Sequence, residues 1–301
     1  MNSLNFKHSI IFFNLCILLS PIYHTLTYTL TILCLFLILI IGISHGALDN
    51  IKGEKLFKLL GFNSNLLFYL SYIFISLLII LTWLIFPNIV LLIFLIVASF
   101  HFGKEDTVFK VKKNFLLNEI LFFFKGSSVI IAPLLFHRES TNEIFSTLNF
   151  YVFESTFFKD YLLIIFLLLS FFSSVYLSIG KSTDKKNIMI LDYFSIIILN
   201  LFLTPVLAFT IYFCFLHSVR HSLSLINEMD RSFKKGLKKF IIKALPLTLI
   251  TGLFFLISIY FLNNLYKIDE AIYKVIFIGL ASLTFPHILL EYLLEKNEKR
   301  T

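Results

Sequence analysis

His217-Ser218-Val219-Arg220-His221 places two imidazoles and a guanidinium inside a run otherwise built for hydrocarbon. A helix carries residues i and i+4 on one face, so His217 and His221 point the same way, one turn apart. Ionisable groups inside a membrane segment are costly and by default mark a functional site. His45, His101 and His287 also fall in apolar segments, whereas His8, His24 and His137 lie at segment ends or in loops and read as interfacial. A lone membrane histidine often does no more than bond a neighbouring helix. Five together are poor company in a low dielectric unless something binds them, and a divalent metal does. Imidazole suits Fe, Cu, Zn and Ni, while Cys16, Cys34 and Cys214 are scattered without the paired spacing of a thiolate site. Spacing alone therefore favours a metal or haem centre.

Ligand histidines usually donate their second ring N–H to a carboxylate or carbonyl, which fixes the tautomer. Asp49 follows His45 by four residues, Glu291 follows His287 by four, Asp106 follows His101 by five, and Asp192 opens a later apolar segment. All four are candidates for that supporting role, and Arg220 is placed to hold one of them. The bland alternative is that these acids face water or pair with lysines, and that Arg220 snorkels to the interface. Gly46 and Gly103 beside the histidines permit close approach of backbone or ligand, or simply end helices. Pro286 is expected to kink its segment and re-aim His287.

The elements that must position these residues are membrane helices. The chain has 301 residues, 58% of them hydrophobic, and a mean hydropathy of +0.89. That composition excludes a soluble globular domain. Long apolar runs without period-2 alternation predict an all-α polytopic bundle of about 8–10 transmembrane helices rather than a β-barrel. With about 20 apolar residues per span, ten candidate spans lie near 8–22, 25–46, 66–86, 88–103, 115–136, 161–180, 188–204, 206–227, 240–262 and 271–294. Residues 1–301 read as one helical domain. The first apolar run lacks a small-x-small cleavage pattern and reads as a retained helix.

Positive charge sets the orientation. With both termini cytoplasmic, the inner connections hold Lys52, Lys55 and Lys58, then Lys104 and Lys110 to Lys113, then Lys181, Lys185 and Lys186, then Arg231 to Lys243. The outer ones hold only Arg138, Lys159, Lys267 and Lys274. The net charge of +8 is thus a topology signal plus attraction to anionic lipid headgroups, and no nucleic-acid partner is implied. This topology puts His45, His101, His217, His221 and His287 in one layer, in the inner half of a multi-pass cytoplasmic-membrane protein. The layer follows from lysines and arginines, so it supports the histidine cluster independently.

His45-Gly46-Ala47-Leu48-Asp49, His101-Phe102-Gly103 with Asp106, His217-Ser218-Val219-Arg220-His221 and Pro286-His287 occur in that order. Together they resemble the Brp/Blh family of membrane-bound β-carotene 15,15′-dioxygenases, over nearly the whole chain. The resemblance implies an enzyme that cleaves the central double bond of β-carotene with O2 to give two all-trans-retinal molecules at a non-haem Fe(II). Carried over motif by motif, His45, His101, His217 and His221 are the implied catalytic iron ligands. His287 matches a family motif too, either as a further ligand or as part of the pocket. An opsin-type protein is the partner that such a product implies. The residues themselves leave rivals in place. These are a di-iron desaturase or hydroxylase, a bis-histidine haem protein, and a non-enzymatic transporter or retinal-binding protein with Lys125 as its Schiff-base lysine. The excess of Phe, Tyr and Leu permits a substrate tunnel that selects the bond by distance from its ends, and equally permits a lipid-facing surface.

Overall fold

The computed structural model describes residues 2–22, 29–62, 65–111, 115–151 and 159–298, and these are helical with no strand among them. In chain order the helices are α1 (Asn2–Leu19), α2 (Thr29–Leu37), α3 (Asp49–Leu59), α4 (Asn65–Ile85), α5 (Pro87–Glu105), α6 (Phe115–Phe136) and α7 (Arg138–Thr147). They continue as α8 (Asp160–Leu177), α9 (Thr183–Phe202), α10 (Pro205–Ile211), α11 (Val219–Met229), α12 (Phe233–Leu262) and α13 (Ile268–Glu298). Pro87 and Pro205 open α5 and α10 at the position where a missing N–H costs nothing.

Among the described residues, seven segments are long and apolar enough to cross a membrane: Leu66–Ile85, Pro87–Glu105, Leu116–Phe136, Asp160–Leu177, Pro205–Met229, Phe233–Leu262 and Ile268–Asn297. The polytopic helical bundle expected from composition is therefore present. The expected spans near 8–22 and 25–46 appear as shorter apolar helices, Leu4–Leu19 and Leu30–Gly42. The one near 188–204 is α9, whose Asp184, Lys185, Lys186 and Asp192 make it less apolar than the seven. Burial orders the bundle. The Pro205–Met229 segment is 67% buried, against 11% for Leu66–Ile85 and 17% for Phe233–Leu262. The histidine-bearing segment is thus the axis, and α4 and α12 lie at the rim.

Two interruptions of regular helix shape the middle. After α2 the chain continues as a π-helical stretch (Ile38–Gly42) and a 3-10 stretch (Ile43–Leu48) into α3. Between α10 and α11 it runs through a second π-helical stretch, Tyr212–Ser218. π-Helical turns are rare and concentrate at functional sites because they re-aim the side chains that follow. The two stretches pack on each other. A Cβ on Gly42 would stand 2.6 Å from the Phe213 ring, so only glycine permits this approach. Elsewhere α5 and α6 touch backbone to backbone: a Cβ on Gly103 would lie 1.8 Å from the Phe122 carbonyl oxygen, and one on Gly126 would lie 1.9 Å from that of Ser99. Small residues at such a crossing are how membrane helices approach closely. Gly103 therefore serves the packing of α5 on α6, which fixes the depth of His101 two residues earlier. Pro286 lies inside α13, which remains helical on both sides of it.

Candidate metal centre

Separate segments bring their histidines to one place. His101 and Glu105 come from the last turn of α5, His217 from the second π-helical stretch and His221 from the first turn of α11. His287 and Glu291 come from α13, one turn apart. His101, His217 and His287 are all buried. The His101 ring lies 5.2 Å from His217 and 5.3 Å from His287, edge to face in both pairs. The His221 and His287 rings are 6.2 Å apart. Four of the five histidines expected in one layer, His101, His217, His221 and His287, thus lie side by side. His45 sits on the 3-10 stretch Ile43–Leu48, but its side chain lies outside the described residues, as does His24.

Each of three histidines has its own carboxylate. Asp106 accepts from His217 Nδ1 at 3.0 Å. Glu105 accepts from His221 Nδ1 at 3.3 Å. Both oxygens of Asp49 accept from His287 Nδ1, at 2.8 and 2.9 Å. An imidazole whose Nδ1 carries the proton presents the lone pair on Nε2, the form that binds a metal. Two of the carboxylates are themselves held by phenols. Tyr212 donates to Asp106 at 2.7 Å, and Tyr72 donates to Asp49 at 2.9 Å.

These partners lie far apart in the chain: Asp49 serves His287, and Asp106 serves His217 rather than His101. Chain proximity is a poor guide where ligands come from different helices. Among the described residues, Asp192 bonds no histidine. It binds Arg220 through both oxygens, at 2.5 and 3.0 Å, and accepts from Ser9 at 2.9 Å. Arg220 is 3% exposed, so it does not snorkel. The Asp192–Arg220 pair ties α1, α9 and α11 together. Glu291 accepts from Lys52 at 2.6 Å through Oε1, and its Oε2 lies 3.7 Å from His287 Nε2. Burial disfavours the Lys52 ammonium, but the Glu291 carboxylate outweighs it and raises the Lys52 pKa above the ordinary value. Lys125 is buried and donates to the Gly103 carbonyl and the Thr107 hydroxyl, at 3.3 and 3.1 Å. His8, expected at an interface, contacts the Phe215 carbonyl oxygen on the π-helical stretch at 2.8 Å.

Sequence reasoning missed Glu105, Tyr72 and Tyr212. Glu105 had a signal, since it follows His101 by four residues as Asp49 follows His45. The tyrosines had none, being two among 13.

The cluster closes one end of a cavity of about 960 Å3, at the upper end of small-molecule sites (~300–1,000 Å3). His101, His287 and Gly46 line that end; Phe102, Phe209, Phe213, Phe254, Phe255 and Phe277 are among its many apolar walls. Lys274 and Asn149 line its far part. His287 and Lys274 are thirteen residues apart on α13, so at ~1.5 Å per residue the cavity extends roughly 20 Å from the histidines. Lys125 does not line it.

Fold and site define a class: a helical membrane protein with a buried histidine–carboxylate cluster at the end of a long apolar cavity. A family profile described as beta-carotene 15,15′-dioxygenase matches residues 36–295. A beta-carotene 15,15′-dioxygenase from uncultured marine bacterium 66A03 is 30% identical over 275 residues, covering 88% of this chain and 94% of that protein. The chain belongs to the β-carotene 15,15′-dioxygenase family, which makes it an oxygenase of the carotene-cleaving kind. No solved structure matches it.

Proposed function

We propose that this chain cleaves the central 15,15′ double bond of β-carotene with O2, giving two all-trans-retinal molecules, at an Fe(II) held by His45, His101, His217 and His221. The observation that carries the reading is the convergence of buried imidazoles at the end of an apolar cavity some 20 Å deep. The donors suit the ion. With metal–nitrogen bonds of ~2.1 Å, imidazoles sharing one metal stand roughly 5–6 Å apart, centroid to centroid. Rings at 5.2 and 5.3 Å accord with that, and the Nδ1–carboxylate bonds leave Nε2 as the lone-pair nitrogen of His217 and His287.

Iron, when bound, supplies the chemistry that lets O2 react with an alkene. The chain supplies position. Asp106, Glu105 and Asp49 hold the imidazoles in one tautomer and orientation. Phe102 and Phe213 pack against the His217 ring, at 5.0 and 5.8 Å, and keep water from that side. The cavity accepts one arm of a rod-like hydrocarbon and stops it at a set depth, so that the bond presented to the histidines is fixed by length. Binding of this kind converts orientation into rate. On this reading both termini and the histidine layer lie on the cytoplasmic side of the cell membrane, which the lysine-rich connections support. Carotene then arrives from the bilayer, and retinal leaves toward an opsin-type consumer.

Expression in a carotene-producing host tests the reading. The expected result is loss of carotene with accumulation of retinal, abolished by His217→Ala or His221→Ala while the protein still accumulates in the membrane. Unchanged carotene beside iron-loaded wild-type protein would overturn the substrate.

A further inference from the structure

Glu291 stands apart from the other carboxylates of the cluster. Asp106, Glu105 and Asp49 each approach an Nδ1 atom from behind the ring. Glu291 approaches the Nε2 side instead. Its Oε2 lies 3.7 Å from His287 Nε2, and donor atoms of His101, His287 and Glu291 all fall within 4.8 Å of one another. Asp49 accepts a hydrogen bond from His287 Nδ1–H, which leaves the lone pair on Nε2, the side that faces Glu291. Lys52 takes Oε1 at 2.6 Å, which turns Oε2 toward the histidines. Two lone-pair donors 3.7 Å apart are too distant for a hydrogen bond. They are well placed to share a cation, because two donors on one ion at ~2.0–2.2 Å are roughly 3–4.4 Å apart.

Resting on the metal centre proposed above, we propose that Glu291 is a direct ligand of that metal, together with His287 and His101, and that Lys52 is the positioning residue that orients it. The centre then carries one anionic ligand beside its imidazoles. A carboxylate in the coordination shell offsets one of the ion's two charges in a region where uncompensated charge is expensive. The i, i+4 spacing of His287 and Glu291 on α13 delivers both donors from one helical face. It also resolves the place of His287, whose motif alone left it between ligand and pocket wall.

The test uses the full chain purified in detergent and titrated with Fe(II) or Co(II). The variants are Glu291→Ala, Glu291→Gln and Lys52→Met. Lys52 and Glu291 are both partly exposed, and ion pairs of that kind contribute little to stability, so all three should fold. The expected result for Glu291→Ala is at least a tenfold loss of metal affinity and a changed Co(II) visible spectrum. Glu291→Gln keeps an oxygen donor without charge and should fall between. Lys52→Met keeps the carboxylate but releases its orientation, and should lose affinity measurably but less than Glu291→Ala, with a Co(II) spectrum closer to that of wild type. Wild-type affinity and an unchanged spectrum in Glu291→Ala would overturn the assignment, and so would equal losses in Glu291→Ala and Lys52→Met. A wild-type chain that takes up no metal would overturn the centre itself.

Discussion

Asp106 is the residue on which the account of His217 turns. Its carboxylate is 6% exposed and accepts two hydrogen bonds, from His217 Nδ1 at 3.0 Å and Tyr212 at 2.7 Å. In Asp106→Ala both donors lose their acceptor in a buried setting. Each unsatisfied donor costs ~1–3 kcal/mol, so the variant should be destabilised by roughly 2–6 kcal/mol. His217 also loses what fixes its tautomer, and removing such a supporting group typically weakens metal binding ~10–100-fold. Asp106→Asn separates the two effects. Its carbonyl can accept from His217 and its amide can donate to Tyr212, so geometry survives while the charge is lost. Stability should stay within ~1 kcal/mol of wild type, because only the charge assistance of two bonds is removed. Metal affinity should still fall about tenfold. Thermal unfolding in detergent reads the first quantity, and titration against a chelator reads the second. Wild-type metal affinity in both variants would refute the reasoning, because Asp106 would then be packing and not a partner of the ligand.

Asp192→Ala should leave the Arg220 guanidinium buried without its carboxylate and cost ~3–5 kcal/mol; unfolding temperature and membrane accumulation report it, and an unchanged protein would show that Arg220 finds water. Gly103→Ala should separate α5 from α6, since its Cβ would meet the Phe122 carbonyl at 1.8 Å; the expected loss is about 2 kcal/mol or more, and a wild-type unfolding temperature would contradict the packing. Ala98→Phe puts a ring into the cavity one turn before His101; carotene turnover should fall while metal content stays, and loss of both together would mean collapse of the site instead of a blocked cavity.

The bundle was legible in the sequence because hydrocarbon length and lysine asymmetry are one-dimensional signals. The meeting of His101, His217, His221 and His287 was legible for a related reason, since residues at like positions along their spans come to like depth. Pairing was not. Asp49 reaches His287 across 238 positions of chain and Asp106 reaches His217 across 111, and depth alone does not say which helices are neighbours. The π-helical stretches before His45 and through His217 were also hidden, because nothing in Ile38–Gly42 or Tyr212–Ser218 separates a π-helical turn from an apolar α-helix. Nor could composition tell cavity-lining phenylalanines from lipid-facing ones: Phe209 and Phe277 stack beside the cavity, while Phe74 and Phe172 face outward.

The most direct test of the central claim is the product balance in membranes that make β-carotene and contain this chain. The account predicts two retinal molecules for each carotene consumed, with no longer or shorter aldehyde, and no consumption in His217→Ala. Fragments of unequal length would contradict fixation of the bond by the cavity, and intact carotene beside metal-loaded protein would contradict the function itself.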